Sequence, residues 1–258
     1  MRLLFAALFL IAAGPAFAEM SARDVTGALF RTAPGARPDF NGQNFARLDL
    51  SNLDFKKADL KNSDLFGADL SNADLSGADL SGAKLDRATL ISARFDGATL
   101  DRVSMLRPSA FTSLNASGSE APSFKAARLR GARLFGRFTR ADFSGADLSG
   151  ATCAPFGKTG FIEEIWRTEL SGANFSGAII AGADLTHALL TYANLTNADL
   201  RGVRLANADL TGADLSGADL TGADVTGADL SGVIVKGAKG LETLRGVATA
   251  RNAETVVK

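Results

Sequence analysis

The chain has one cysteine, one histidine, one tryptophan and one tyrosine among 258 residues. A single thiol leaves no partner for an internal disulfide, so packing alone must hold the fold. One histidine and one cysteine also fall short of the ligand cluster that a zinc site needs. No metal and no cofactor are therefore expected. Neither sign of charge dominates, with 28 basic and 28 acidic residues. That balance excludes a strongly basic nucleic-acid binder, so no nucleic acid is expected as a partner. Long apolar runs are absent except near the start, where Leu3 to Ala13 is too short to anchor stably across a bilayer.

That first segment has the layout of an export signal. Arg2 supplies a positive start, Leu3 to Ala13 the apolar stretch, Gly14-Pro15 a break, and Ala16-Phe17-Ala18 a small-x-small cleavage site. Cleavage after Ala18 would remove residues 1–18 as a signal peptide and leave 27 basic and 28 acidic residues, a net charge of −1. The alternative is an N-terminal helix that stays attached. No cysteine follows the cleavage site, which argues against a lipid anchor, and no later stretch could span a membrane. A periplasmic or secreted location is expected.

What the chain does have is a period of five. From Phe40 through Leu70 to Met105, every fifth residue is large and apolar. The same holds from Leu170 through Leu200 to Val235. Neither an α-helix nor a flat strand repeats every five residues, so each unit must turn a corner. Two residues before each centre comes a small residue, as at Ala58, Ala68 and Ala213; just before it, often Asp, as at Asp69 and Asp214. An unpaired buried carboxylate is costly, so these aspartates should point outward. Two residues after the centre stands Gly or Asn, as at Gly67 and Asn72, suited to a tight turn with positive φ.

The units Ala73-Asp74-Leu75-Ser76-Gly77 and Ala218-Asp219-Leu220-Thr221-Gly222 resemble the A(D/N)LXX motif of the pentapeptide-repeat family. The resemblance covers about 38–105 and 122–240. It implies an all-β solenoid, a right-handed quadrilateral β-helix in which four units make a twenty-residue coil. Residues twenty apart would then stack at strand spacing, ~4.8 Å.

On this reading residues 19–37 form an N-terminal helical cap, with Val25, Leu29 and Phe30 on one side of a helix over 21–31. Residues 38–105 are a first array and 170–238 a second. Residues 106–169 hold irregular repeats with two outward loops, at 106–122 and 154–169. Residues 239–258 are expected to form a C-terminal helical cap; the alternative is a dimerisation helix joining two copies.

Several local patterns invite chemistry. Gly157-Lys158-Thr159 resembles the end of a phosphate loop, but Thr152 stands where that motif needs glycine. Glu163 and Glu164 are adjacent, and adjacent carboxylates seldom converge on one bond. His187 occupies a turn position and Cys153 a centre, so both read as structural. No catalytic residue is expected, and the chain reads as a non-enzyme. The candidate partner-binding residues are Arg128, Arg130, Arg133, Arg137 and Arg140, a basic run in the middle segment, and Trp166, with Phe156 and Phe161 as further aromatic anchors. Arg and aromatic residues dominate binding hot spots. The expected function is a binding or scaffold protein of the bacterial cell envelope whose partner is a protein or an anionic envelope component. The alternative, a DNA mimic acting on a topoisomerase as in some similar proteins, would need strong negative charge and no export signal.

Overall fold

In a pentapeptide coil the backbone amides decide what the side chains must do. The computed structural model describes residues 20–33, 35–110, 120–155 and 167–257. Around Leu70 the amides of four residues bond to backbone. Asp69 donates to the Leu48 carbonyl in the coil below (2.9 Å), and Leu70 to Thr89 in the coil above (2.8 Å). Asn72 donates to Ile91 (2.8 Å), and Ala73 closes the turn onto Leu70 (2.9 Å). The fifth amide, Ser71, has no carbonyl in reach and donates instead to Oδ1 of Asp69 (2.9 Å). The same bond recurs at Ser76 on Asp74, Phe66 on Asp64 and Thr226 on Asp224. Asp or Asn before the centre thus satisfies the one donor that stacking leaves over.

Four such units close a coil with four faces, and successive coils pair in parallel. The first face carries Phe40, Leu60 and Leu80 as centres; the second Phe45, Leu65 and Leu85; the third Leu50, Leu70 and Leu90; the fourth Phe55, Leu75 and Phe95. All point inward and are buried, as are the alanines two places before them, such as Ala68 and Ala88. At most corners the residue two after the centre is left-handed, as at Asn72 (φ 58°) and His187 (φ 62°). Nine coils of this kind span Phe40 to Val235.

The phase breaks are narrower than the expected loops. Leu106 to Ala110 stay on the coil: Ser109 pairs with Thr89, and Ala110 is a buried third-face centre. The first insertion therefore leaves at the corner between the third and fourth faces, and Ser123 lies 29 residues after its partner Arg94 rather than twenty. Thr168 and Glu169 likewise belong to the wall, and the second insertion leaves between the second and third faces. There the buried Thr168 hydroxyl donates to the Cys153 carbonyl (2.6 Å). One unit is short by a residue: Phe138 follows Leu134 by four places, through Gly136 at φ 153°. A Cβ at Gly136 would lie 2.9 Å from Pro108 Cδ and 3.2 Å from Arg107 Cα, so only glycine fits. Through this disturbed zone the fourth face keeps register with a stack of nearly parallel rings: Phe95, Phe124, Phe143 and Phe175, at 4.9, 4.8 and 5.0 Å.

The two ends are closed differently. Helix α1, Ala22–Arg31, starts at a Ser21–Asp24 capping box and buries Val25 under the first coil, with Leu29 partly buried. Phe30, expected on the packed side, is 90% exposed. The C-terminal helix expected over 239–258 is not an α-helix. Left-handed residues fall every six places, at Gly240, Gly246 and Asn252, and split the segment into three 3-10 turns: Leu241–Thr243, Val247–Thr249 and Ala253–Thr255. Between them Lys239, Arg245, Arg251 and Val257 pair with Asp219, Asp224, Asp229 and Ile234. The segment is thus a tenth coil with six-residue sides. Thr243, Thr249 and Thr255 each accept from the amide of the corner glycine below, Gly222, Gly227 and Gly232, at 2.8, 3.2 and 2.9 Å. At regular corners below, such as Gly212 and Gly217, the amide donates instead to a backbone carbonyl, of Ser231 and Lys236.

Candidate functional site

Because the interior is filled with apolar side chains, any binding must use the outer wall. The five arginines expected to form one patch are spread around a single coil. Arg128 stands before Leu129 on the first face, Arg133 before Leu134 on the second, and Arg137 before Phe138 on the third. Arg130 adjoins the corner between the first and second faces, and Arg140 occupies the corner between the third and fourth (φ 60°). Among the described residues, Arg128 pairs across coils with Asp101 (2.9 Å), Arg130 with Asp147 (2.5 Å) and Arg137 with Glu169 (2.9 Å). The structure thus makes a belt of them rather than a patch. Trp166, Phe156 and Phe161, like the 157–159 and 163–164 patterns and the proposed cleavage site, lie outside the described residues.

The belt is wider than the sequence run suggested. Residues 84–140 contain eleven Lys and Arg against four Asp and Glu, a net of +7. Farther along, residues 205–235 hold five aspartates and no basic residue. Charge is therefore banded along the axis although the whole chain is neutral. The signal that sequence reasoning missed is positional. Arg47, Lys57, Arg87, Arg102 and Arg107 all occupy left-handed corners, where Gly or Asn is usual. The strict period of five marks those corners in the sequence.

The aspartates are tied into the wall. Asp219 is held below the usual carboxylate range by the Thr221 hydroxyl and then its amide; Asp199 by the Arg201 guanidinium. At Asp184 burial pushes upward, but Arg204 and Thr186 outweigh it and the net shift is downward. Cys153 is fully buried, and burial, reinforced by Asp184, pushes its thiol up to about 12. A protonated thiol is a poor nucleophile. His187 sits at its turn position with Nδ1 buried and unpartnered. Among the described residues no group of three His, Cys, Asp or Glu could hold a metal ion, and no helix is long and apolar enough to cross a membrane.

Comparison with known proteins agrees with this architecture. The chain is similar over 90% of its length, and 93% of the other's, to HetL, a pentapeptide repeat protein involved in heterocyst differentiation regulation in the cyanobacterium Nostoc, at 26% identity and a TM-score of 0.51. A pentapeptide repeat protein from the thylakoid lumen of Arabidopsis thaliana is 32% identical over 38% of this chain and 59% of its own, with a TM-score of 0.25. QnrB1, a plasmid-mediated fluoroquinolone resistance protein, is 20% identical over 85% of this chain and 93% of its own, with a TM-score of 0.38. No curated protein matches the sequence. The pattern of the pentapeptide repeat family matches in eight copies, over residues 39–72, 63–102, 137–153, 168–205 and 198–237. The chain belongs to the pentapeptide repeat family, and its fold is the right-handed quadrilateral β-helix of that family.

Proposed function

We propose that this chain is an exported, non-enzymatic binding or scaffold protein of the bacterial cell envelope, and that its partner contacts the central coils. The observation that carries the reading is the banding of charge on a rigid, filled solenoid. The interior offers no room for a substrate, whereas coils three to five carry a +7 excess between acidic flanks. Banded charge steers and orients a partner rather than transforming it. Export is supported by Arg2, the apolar run Leu3 to Ala13 and Ala16-Phe17-Ala18. The partner is a protein or an anionic envelope component, contacted by Arg128, Arg130, Arg133, Arg137 and Arg140, with Trp166 as an aromatic anchor.

Cell fractionation followed by N-terminal sequencing tests the compartment. A periplasmic protein that begins at Glu19 is the expected result, and a cytoplasmic one beginning at Met1 sinks it. A pull-down with Arg133→Ala, Arg137→Ala and Trp166→Ala combined should lose the partner. An unchanged partner set, lost instead on substitution of Asp209 to Asp229, would move the site to the acidic coils.

A further inference from the structure

Side and corner cations behave differently. On the flat faces, lysines and arginines lean onto carboxylates: Lys125 on Asp142 (3.3 Å), Arg94 on Asp96 (3.4 Å) and Lys61 on both Asp59 (3.1 Å) and Asp79 (3.4 Å). Among the described residues the corner cations Arg47, Lys57, Arg87, Arg102 and Arg140 have no carboxylate within 4.0 Å. Instead they project or run along the edge. A Cβ on Gly131, one coil up, would touch Arg102 Cγ at 3.7 Å, and the Arg87 guanidinium lies 5.8 Å from the centre of the Phe66 ring.

The second face of coils three to five concentrates these groups. Arg102 lines one edge, and Arg87 and Arg107 line the other. Lys84 and Arg133 project from the face between them, and all five are exposed. Here too lies the one extended strand pair among the described residues, β1 (Ser104–Leu106) beside β2 (Arg133–Phe135). Leu106 stands half-buried on the outer side of this face, as does Phe66 one coil below coil three. Among the described residues its carboxylates are few. Asp86 is occupied by the Ser104 hydroxyl (2.6 Å) and the Leu106 amide (2.9 Å), and Asp64 lies 4.0 Å from Lys84.

We infer that this face docks flat on an anionic lipid surface. The charge is complementary to phosphate headgroups. Among the described residues Arg87 and Arg102 have no ion pair to break to reach them, and the paired wall spans three coils, roughly 10 Å from first to last at strand spacing. Surface potential draws clustered Lys and Arg to anionic leaflets, and half-buried apolar side chains suit contact at headgroup depth rather than insertion. The inference rests on the envelope reading only for which membrane the protein meets.

Co-sedimentation of the mature chain tests it. The probes are vesicles of phosphatidylcholine alone and vesicles with one part phosphatidylglycerol to about two parts phosphatidylcholine, at ~0.01 M and ~1 M salt. Binding should need phosphatidylglycerol and vanish at high salt. Arg87→Glu with Arg102→Glu should weaken it by about tenfold or more. Lys236→Glu with Lys239→Glu makes the same change in net charge at the far end and should leave binding nearly intact, as should Arg87→Lys with Arg102→Lys. Circular dichroism confirms that each variant folds. No binding to phosphatidylglycerol vesicles, equal loss in the control pair, or displacement of the vesicles by a soluble acidic protein would overturn the assignment. Fractionation reads export separately, so a failure here leaves the exported binding-protein reading standing.

Discussion

At the scale of single residues, one amide per unit explains the repeat's second position. The Leu centre fills the core, and the residue before it serves the amide that no neighbouring coil can reach. The two positions should therefore respond very differently to exchange. Leu70→Asp places a carboxylate in a fully buried column, and even Leu70→Ala is expected to cost about 2–5 kcal/mol. Asp69→Leu loses the bond to Ser71 at the surface and should cost about 1 kcal/mol. Thermal unfolding of the two variants checks this, and equal melting temperatures would contradict the inside–outside assignment. Gly136 and Gly182 separate two reasons for glycine. Gly182 needs only its positive φ, with nothing within 4 Å, and alanine there should cost about 1 kcal/mol. Gly136 also abuts the backbone of Arg107, so Gly136→Ala should lower the melting temperature distinctly more. Equal effects would show that the wall yields at that corner.

At the scale of elements, the regular coils were legible because burial alone sets their period: a residue every five places must face a shared core. The caps and phase breaks depend on backbone partners, which a hydrophobic pattern does not record. Leu241, Leu244 and Ala248 fit helical spacing, yet a left-handed residue every six places decides the outcome. Gly240, Gly246 and Asn252, each followed three places later by threonine, form a visible sixfold signal that sequence reasoning passed over. Phe30 shows a different limit: it follows Val25 by five places, about 140° around the helix, so Leu29 shares the packed flank of α1 and Phe30 does not. The belt of arginines was legible in composition but not in placement, because five successive units face four different ways. If the threonines close the stack, Thr243→Val, Thr249→Val and Thr255→Val together should deprotect the amides of Gly222, Gly227 and Gly232 in hydrogen exchange. Each lost bond is worth about 1 kcal/mol. Unchanged protection would mean that packing of Leu244, Ala250 and Val256 alone seals the end.

At the scale of the molecule, two properties follow from stacking. Each coil touches only its neighbours, so stability accumulates along the axis and depends on many equivalent turn aspartates. Several of these, among them Asp184, Asp199, Asp219 and Asp224, have folded-state pKa values below the ordinary carboxylate value. A lowered folded pKa contributes stability that is full above the unfolded value, ~3.9, and is lost as pH falls through the folded value. The melting temperature should thus be flat from neutral pH to about pH 5 and drop below about pH 4. A melting temperature that rises on acidification would contradict the carboxylate turn bonds. The second property is the axial banding of charge, on which the proposed recognition by coils three to five rests. Photocrosslinking in intact cells tests that assignment most directly. A photoreactive residue is placed singly at Lys84 or Arg133 in the central belt, and at Asp214 or Asp219 in the acidic coils. Adducts in the envelope fraction at the two central positions, and few at the acidic ones, are the predicted result. Adducts confined to Asp214 and Asp219, or found only in the cytoplasm, would contradict the account.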